Sequence, residues 1–332
     1  MGKRVIVTGA SGFIGANLAR RLLKKGHALH LLLRSGYATW RIEELKGEAQ
    51  FVVINFADPH AMRRALRQIK PDWIFHLTTY GAYAFQSDLQ TMVHTNVNGT
   101  VNLVEAAIET GFEVLVNTGS SSEYGFKGYP AMEDDSLDPN SIYAVTKAAS
   151  TLFCRHMARS RNLSIPTLRL YSVYGPYEDP SRFIPTLVRN GFAGRLPALA
   201  SPHIVRDFVH VDDVCEGFMA AATRRLHDPG AVINLGTGIQ TRLDEVVSIV
   251  RELLGVQEEP HWGTMPARSW DTDTWVADIT KAGLTLKWRA AIDLRNGLKR
   301  TIDWYRNNPS RLDPAKSTLP GKAIASSGRE KS

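Results

Sequence analysis

The chain has 332 residues, 43% of them apolar, and a formal charge of +7. That length accommodates about two domains, or one large domain with an elaboration, and no apolar run is long enough to span a membrane as a helix. The cations are spread out rather than gathered into blocks with interleaved aromatics, which argues against nucleic acid and leaves a phosphate-bearing substrate as the economical reason for some of them.

The N-terminus, "MGKRVIVTGA", passes directly into a strand-like run, without the apolar core and cleavage site of a signal peptide. Only two cysteines occur, Cys154 and Cys215, each inside a helical pattern. They read as core thiols of a reducing cytoplasm, not as a disulfide or a metal site.

"RVIVTG" predicts a strand and "FIGANLARRLLKKG" a helix closed by Gly26. Between them "VTGASGFIG" spaces Gly9, Gly12 and Gly15 for a tight turn, a close backbone approach to a pyrophosphate and close helix–strand packing. Phosphates would then sit at the helix N-terminus. Gly9, Ser11, Gly12, Phe13, Ile14 and Gly15 are therefore candidate cofactor contacts. "ALHLLL" is a second strand, and an acid at its end would bind the adenosine ribose. Arg34 and Ser35 stand there instead, and a guanidinium attracts a 2′-phosphate, so NADP is expected in preference to NAD. "AQFVVINF" is a third strand; Asn55 and Phe56 are candidate adenine neighbours, although Phe56 equally suits a core.

"DPHAMRRALRQIK" is a helix, "PDWIFHL" a strand, "VNGTVNLVEAAIETG" a helix and "FEVLVNTGS" a strand. "YAVTKAASTLFCRHMARSR" is a helix and "SIPTLRLYSVYG" a strand. Apolar strands alternating with helices imply right-handed crossovers and an α/β, doubly wound parallel sheet of Rossmann type. After about residue 175 prolines and glycines loosen the rhythm. Helices "VDDVCEGFMAAATRR" and "LDEVVSIVRELLG", a strand "AVINLG" and a last helix "AIDLRNGLKRTIDWYRN" remain. The expected division is a dinucleotide-binding domain over 1–175, a smaller mixed α/β substrate domain over 176–308 with some chain crossing, and a disordered tail over 309–332.

Tyr143 and Lys147 fall one turn apart on one helix face. A free phenol has a pKa of about 10. A lysine ammonium and an oxidised nicotinamide would both lower it, so Tyr143 could serve as an acid or base in hydride chemistry at a carbinol. Ser120, Ser121 and Ser122 lie at the end of the fifth strand, where open parallel sheets bind ligands.

"TGASGFIG", "HLTT" (76–79), "NVNGT" (96–100), "GSSSEYG" (119–125) and "YAVTK" (143–147) resemble the extended short-chain dehydrogenase/reductase family, and more narrowly its nucleotide-sugar epimerases, dehydratases and 4-ketoreductases. The match continues through "LRLYSVYGP" (168–176), "RDFVHVDDV" (206–214), "NLGTG" (234–238) and "ADITKAGLTLKW" (277–288), and covers roughly residues 3 to 306.

The resemblance implies a catalytic Ser120, with Ser121 the near alternative, together with Tyr143 and Lys147, which would also hold the nicotinamide ribose. It adds Leu77, Thr78 and Thr79 to the cofactor site. It places Arg206, and Arg268 as a second cation, at the diphosphate of a nucleotide-sugar substrate. "SRFIP" (181–185), with Arg182 and Phe183, would line the nucleotide pocket. Tyr80, Tyr83 and Gln86, in the loop after the fourth strand, could touch the hexose, as could Ser121, Ser122 and Ser172. Two departures stand out. Tyr171-Ser172 replaces the Phe-Asn common in relatives. Glu123, the only acid near Ser120, is displaced by one residue from the dehydratase position, and one step on a strand turns a side chain to the other face.

His76, His203 and His210 lack metal-ligand spacing, so no metal is expected. Relatives often pair as homodimers through two helices, here about 87–110 and 143–161. The reading is thus a sugar-nucleotide epimerase with tightly bound NAD(P), against an NADPH-consuming 4-ketoreductase; the intact tyrosine and lysine disfavour a non-catalytic dinucleotide sensor.

Overall fold

Runs such as "RVIVT" and "WIFH" carry apolar residues at consecutive positions, so both faces of each strand need cover. The computed structural model, which describes residues 2–83, 85–266 and 271–313, supplies that cover with helices on both sides of a seven-stranded sheet. In chain order the described strands are β1 (Arg4–Thr8), β2 (Ala28–Leu33), β3 (Gln50–Val53), β4 (Trp73–His76), β5 (Val114–Ser120), β6 (Thr167–Leu170), β7 (Ser172–Tyr174), β8 (Val205–Arg206), β9 (Phe208–His210), β10 (Val232–Leu235) and β11 (Thr241–Arg242). The α-helices are α1 (Phe13–Lys24), α2 (Pro59–Ile69), α3 (Leu89–Val93), α4 (Gly99–Thr110), α5 (Ile142–Arg161), α6 (Phe183–Phe192), α7 (Val211–Thr223), α8 (Leu243–Leu254) and α9 (Leu294–Asn307). A π turn, His94–Asn98, joins α3 to α4. None of the described helices is long and apolar enough to cross a membrane.

The main sheet is parallel throughout, in the order β10-β6-β5-β4-β1-β2-β3. Successive residues face opposite layers. Val5, Val7 and Phe75 pack with Leu18 and Leu22 of α1 and Val214 and Phe218 of α7. Ile6 and Ile74 pack with Leu66 of α2, Leu103 of α4 and Cys154 of α5. The order reverses between β1 and β4, and the crevice outside their carboxyl ends is where such sheets bind ligands.

Two sequence expectations change. The single strand read in "SIPTLRLYSVYG" breaks at Tyr171, because the Ser172 N–H donates to the Asp207 carbonyl (2.9 Å). β7 therefore leaves the sheet and pairs in parallel with β9, Ser172 opposite Phe208. β10, from the loosened region, returns to the main sheet beside β6, Ile233 opposite Leu168. A separate core gathers Ile184 and Leu187 of α6, Val247 and Val250 of α8, and Leu298 and Ile302 of α9. The stretch expected as a disordered tail begins with a 3-10 turn, Pro309–Leu312, whose Leu312 is buried in this core. Residues 314–332 lie outside the described residues.

Candidate functional site

The turn from β1 into α1 is glycine-specific. Gly9 has φ +67, and a Cβ there would stand 2.6 Å from the Leu77 backbone. Gly12 donates its N–H to the Gly9 carbonyl (2.9 Å) and caps α1 without a side-chain bond; no acid stands in the first turn. The helix start thus presents free N–H groups and positive dipole, a seat for an anion. Ser11, Phe13 and Ile14 are half-buried along it.

Thr8 Oγ1 accepts from the Leu77 and Thr78 N–H groups (3.2 Å each) and meets His76 Nδ1 at 2.8 Å. His76 Nε2 meets Thr100 Oγ1 at 2.9 Å. This histidine is a buried strut between β1, β4 and α4. Burial, and then repulsion from Lys147, lower its pKa to about 3, so it stays neutral. His203 is exposed, and buried His210 accepts from the Asp212 N–H (3.2 Å).

Several polar groups near the carboxyl ends of β4 and β5 lack a hydrogen-bond partner among the described residues. Thr78 Oγ1 and Thr118 Oγ1 are buried with no hydrogen bond. The buried Lys147 ammonium has no hydrogen bond or ion pair among the described residues. A glycine turn at an uncapped helix, with unpaired hydroxyls and a cation beyond it, fits a dinucleotide. Thr118 escaped sequence reading because a threonine inside a strand resembles any core residue.

Tyr143 lies at the start of α5, where Ser141 Oγ accepts the Ala144 N–H (3.2 Å). Its phenol meets the side chains of Ser120 and Thr79. Burial pushes its pKa up, against the pull of those hydrogen bonds and Arg182, while the Glu123 charge adds to the rise. Lys147 acts on His76 and Cys154, and burial lowers its own pKa while Glu123 opposes that.

Ser120 Oγ also contacts Ser122 Oγ (2.7 Å), while Ser121 is buried. The Glu123 carboxylate is occupied. Its Oε2 accepts from Arg169 Nε (2.8 Å); its Oε1 accepts from the Ser120 N–H (2.7 Å) and Thr151 Oγ1 (3.0 Å).

Around this centre the predicted contacts divide. Arg34 and Ser35 are exposed after β2, and Arg34 has no ion pair among the described residues. Asn55 is exposed, but Phe56 is a core side chain. Asn96 bonds both the Tyr80 N–H and its carbonyl (2.8 Å each) and Thr146 Oγ1 (2.9 Å), fixing this loop to α5. Gln86 accepts the Gly81 N–H (2.9 Å) through its side-chain oxygen, which braces its own loop. Tyr83 stacks on Phe85 (5.4 Å), and the Arg182 guanidinium lies 4.6 Å from the Tyr83 ring centre. Phe183 opens α6, half-buried, and Ser172 is half-buried in β7. Sequence reading missed Glu178, whose Oε2 is buried with no hydrogen bond among the described residues and whose pKa burial pushes up to about 8, against the pull of Arg182. Arg206 is engaged with Asp271 (3.0 Å). Arg268 lies outside the described residues.

The uncapped helix, the glycine turn and the crevice at the sheet's reversal define a nucleotide-binding α/β protein. A profile of the NAD dependent epimerase/dehydratase family matches residues 5–236, and the chain belongs to that family, in the extended short-chain dehydrogenase/reductase group. It is 32% identical to a UDP-glucose 4-epimerase of Mycolicibacterium smegmatis, over 92% of this chain and 99% of that one. A dTDP-glucose 4,6-dehydratase of Streptomyces griseus is 30% identical, with 95% and 97% covered. The structure of Thermus thermophilus UDP-glucose 4-epimerase in complex with NAD superposes with a TM-score of 0.80 at 27% identity, covering 91% of this chain and 98% of that one.

Proposed function

We propose that this chain is a nucleotide-sugar epimerase with Tyr143 as its acid/base. The observation that carries the reading is that the Tyr143 phenol, at the start of α5, lies within reach of the Ser120 and Thr79 side chains at the ends of β5 and β4, with Lys147 buried one turn along the same helix. When bound, oxidised NAD(P) supplies a hydride acceptor and a positive charge that favours the phenolate. The glycine turn, Asn55, Leu77, Thr78, Thr79 and Lys147 would hold it, with Thr118 added. Ser120 orients the sugar oxygen. Tyr143 takes its proton, and returns one to that oxygen after the keto sugar has turned over. Arg206 neutralises the diphosphate, while Tyr80, Tyr83, Ser121, Ser122, Ser172, Arg182 and Phe183 surround the sugar and nucleotide.

An elimination of water is less well supported, because the Glu123 carboxylate is held by Arg169. Arg34, an exposed cation after β2, favours NADP, and with it a second reading as an NADPH-dependent 4-ketoreductase. Leu89 and Val93 of α3 and Ile142, Val145 and Leu152 of α5 are exposed apolar residues at helical spacing, which supports a homodimer through these helices. The buried, unpaired Cys154 and Cys215 suit a reducing cytoplasm.

The deciding experiment is incubation of purified protein with UDP-glucose, UDP-glucuronate and dTDP-glucose, with products read by NMR. Turnover without added cofactor, giving the 4-epimer, supports epimerisation. Stoichiometric loss of NADPH absorbance on a 4-keto sugar would replace it with reduction.

A further inference from the structure

The Glu123 side chain has no part in the chemistry above, yet it is the fully buried anion next to it, with 0% exposure. A carboxylate is fully buried only where it is paired and hydrogen-bonded, so its partners show what it holds together. One oxygen, Oε1, receives the Ser120 N–H at 2.7 Å and the Thr151 hydroxyl at 3.0 Å. The other receives Arg169 Nε at 2.8 Å. Ser120 ends β5, Thr151 sits two turns beyond Tyr143 on α5, and Arg169 is on β6. The space is shaped for the pair: a methyl group on Gly119 would stand 2.8 Å from Glu123 Oε1 and 3.0 Å from Arg169 Cγ.

We infer that Glu123 is a positioning residue for this site, one carboxylate clamping the strand that carries Ser120 to the helix that carries Tyr143 and Lys147, with Arg169 as its counter-ion. The inference rests on the Tyr143 reading.

The charge matters as well as the clamp. Lys147 is faced by Glu123, by Cys154 on its own helix and by His76 on β4. Tyr143 is faced by Ser120, Thr79, Arg182 and Glu123. Glu123 itself is faced by Arg169 and Tyr124, with Glu133 beyond them. The Cys154 thiol, pushed up to about 12 by burial, and His76 are both neutral at ordinary pH, so Glu123 is the anion in both sets. Removing its charge lets burial lower Lys147 further and lets Tyr143 ionise more readily. Both limbs of a pH–rate profile then move to lower pH.

The test is E123Q, a neutral isostere. Misplacement of Ser120 against Tyr143 should cut kcat on the order of a hundredfold with little change in KM. Independently of turnover, the tyrosinate absorbance difference between a protein and its Y143F derivative reports Tyr143 ionisation. Its midpoint should fall in E123Q and return toward wild type in E123D, which keeps the charge. An unchanged midpoint and an unchanged pH profile in E123Q would overturn the inference. Should E123Q fail to fold, E123Q/R169Q leaves neither charge uncompensated and carries the same readouts. Should the wild type turn over no sugar nucleotide, the epimerase reading fails, while the tyrosinate titration still decides the role of Glu123.

Discussion

Acid should unfold this protein partly through one histidine. His76 is 2% exposed, with both ring nitrogens hydrogen-bonded to threonines. In the unfolded chain it takes up a proton near its ordinary value of 6.5, but in the fold only near about 3. A depressed folded pKa contributes stability above the unfolded value, and that stability is lost as pH falls from 6.5 toward 3. Between about pH 7 and about pH 4.5 the loss comes to roughly 2–3 kcal/mol, at about 1.4 kcal/mol per pH unit. Glu178 works in the opposite sense: its raised pKa contributes stability in acid that is lost as pH rises through about 8. The His76 contribution is therefore read as a difference, from urea unfolding of the wild type and H76Q at several pH values. H76Q should be less stable at neutral pH, and its stability should fall less in acid by that amount. Parallel pH profiles for the two proteins would refute the reasoning.

Tyr143→Phe should abolish turnover while cofactor affinity, measured by calorimetry, stays within a few-fold of wild type. Arg34→Asp should weaken NADP relative to NAD by roughly ten- to a hundredfold, the worth of one charge-assisted hydrogen bond; an unchanged ratio would remove Arg34 from cofactor choice. V145E/L152E, which puts charge on the exposed face of α5, should yield a monomer in sedimentation, whereas an unchanged oligomeric state would place any interface elsewhere.

What the chain determines alone is what neighbours in sequence can encode. The glycine triplet between β1 and α1 was legible because turn, helix start and phosphate seat are built within one short segment. The Tyr143–Lys147 helix was legible because its start signal and spacing are local. The tertiary structure alone decided that β10 returns to the sheet beside β6 and that β7 leaves it. It also decided that Glu123 turns inward to Arg169. These outcomes depend on partners distant in sequence, as when Tyr124 donates to Asn234 (2.7 Å) across 110 positions. Periodicity says which residues seek burial; which charge, hydroxyl or strand edge meets them is settled when the chain closes on itself.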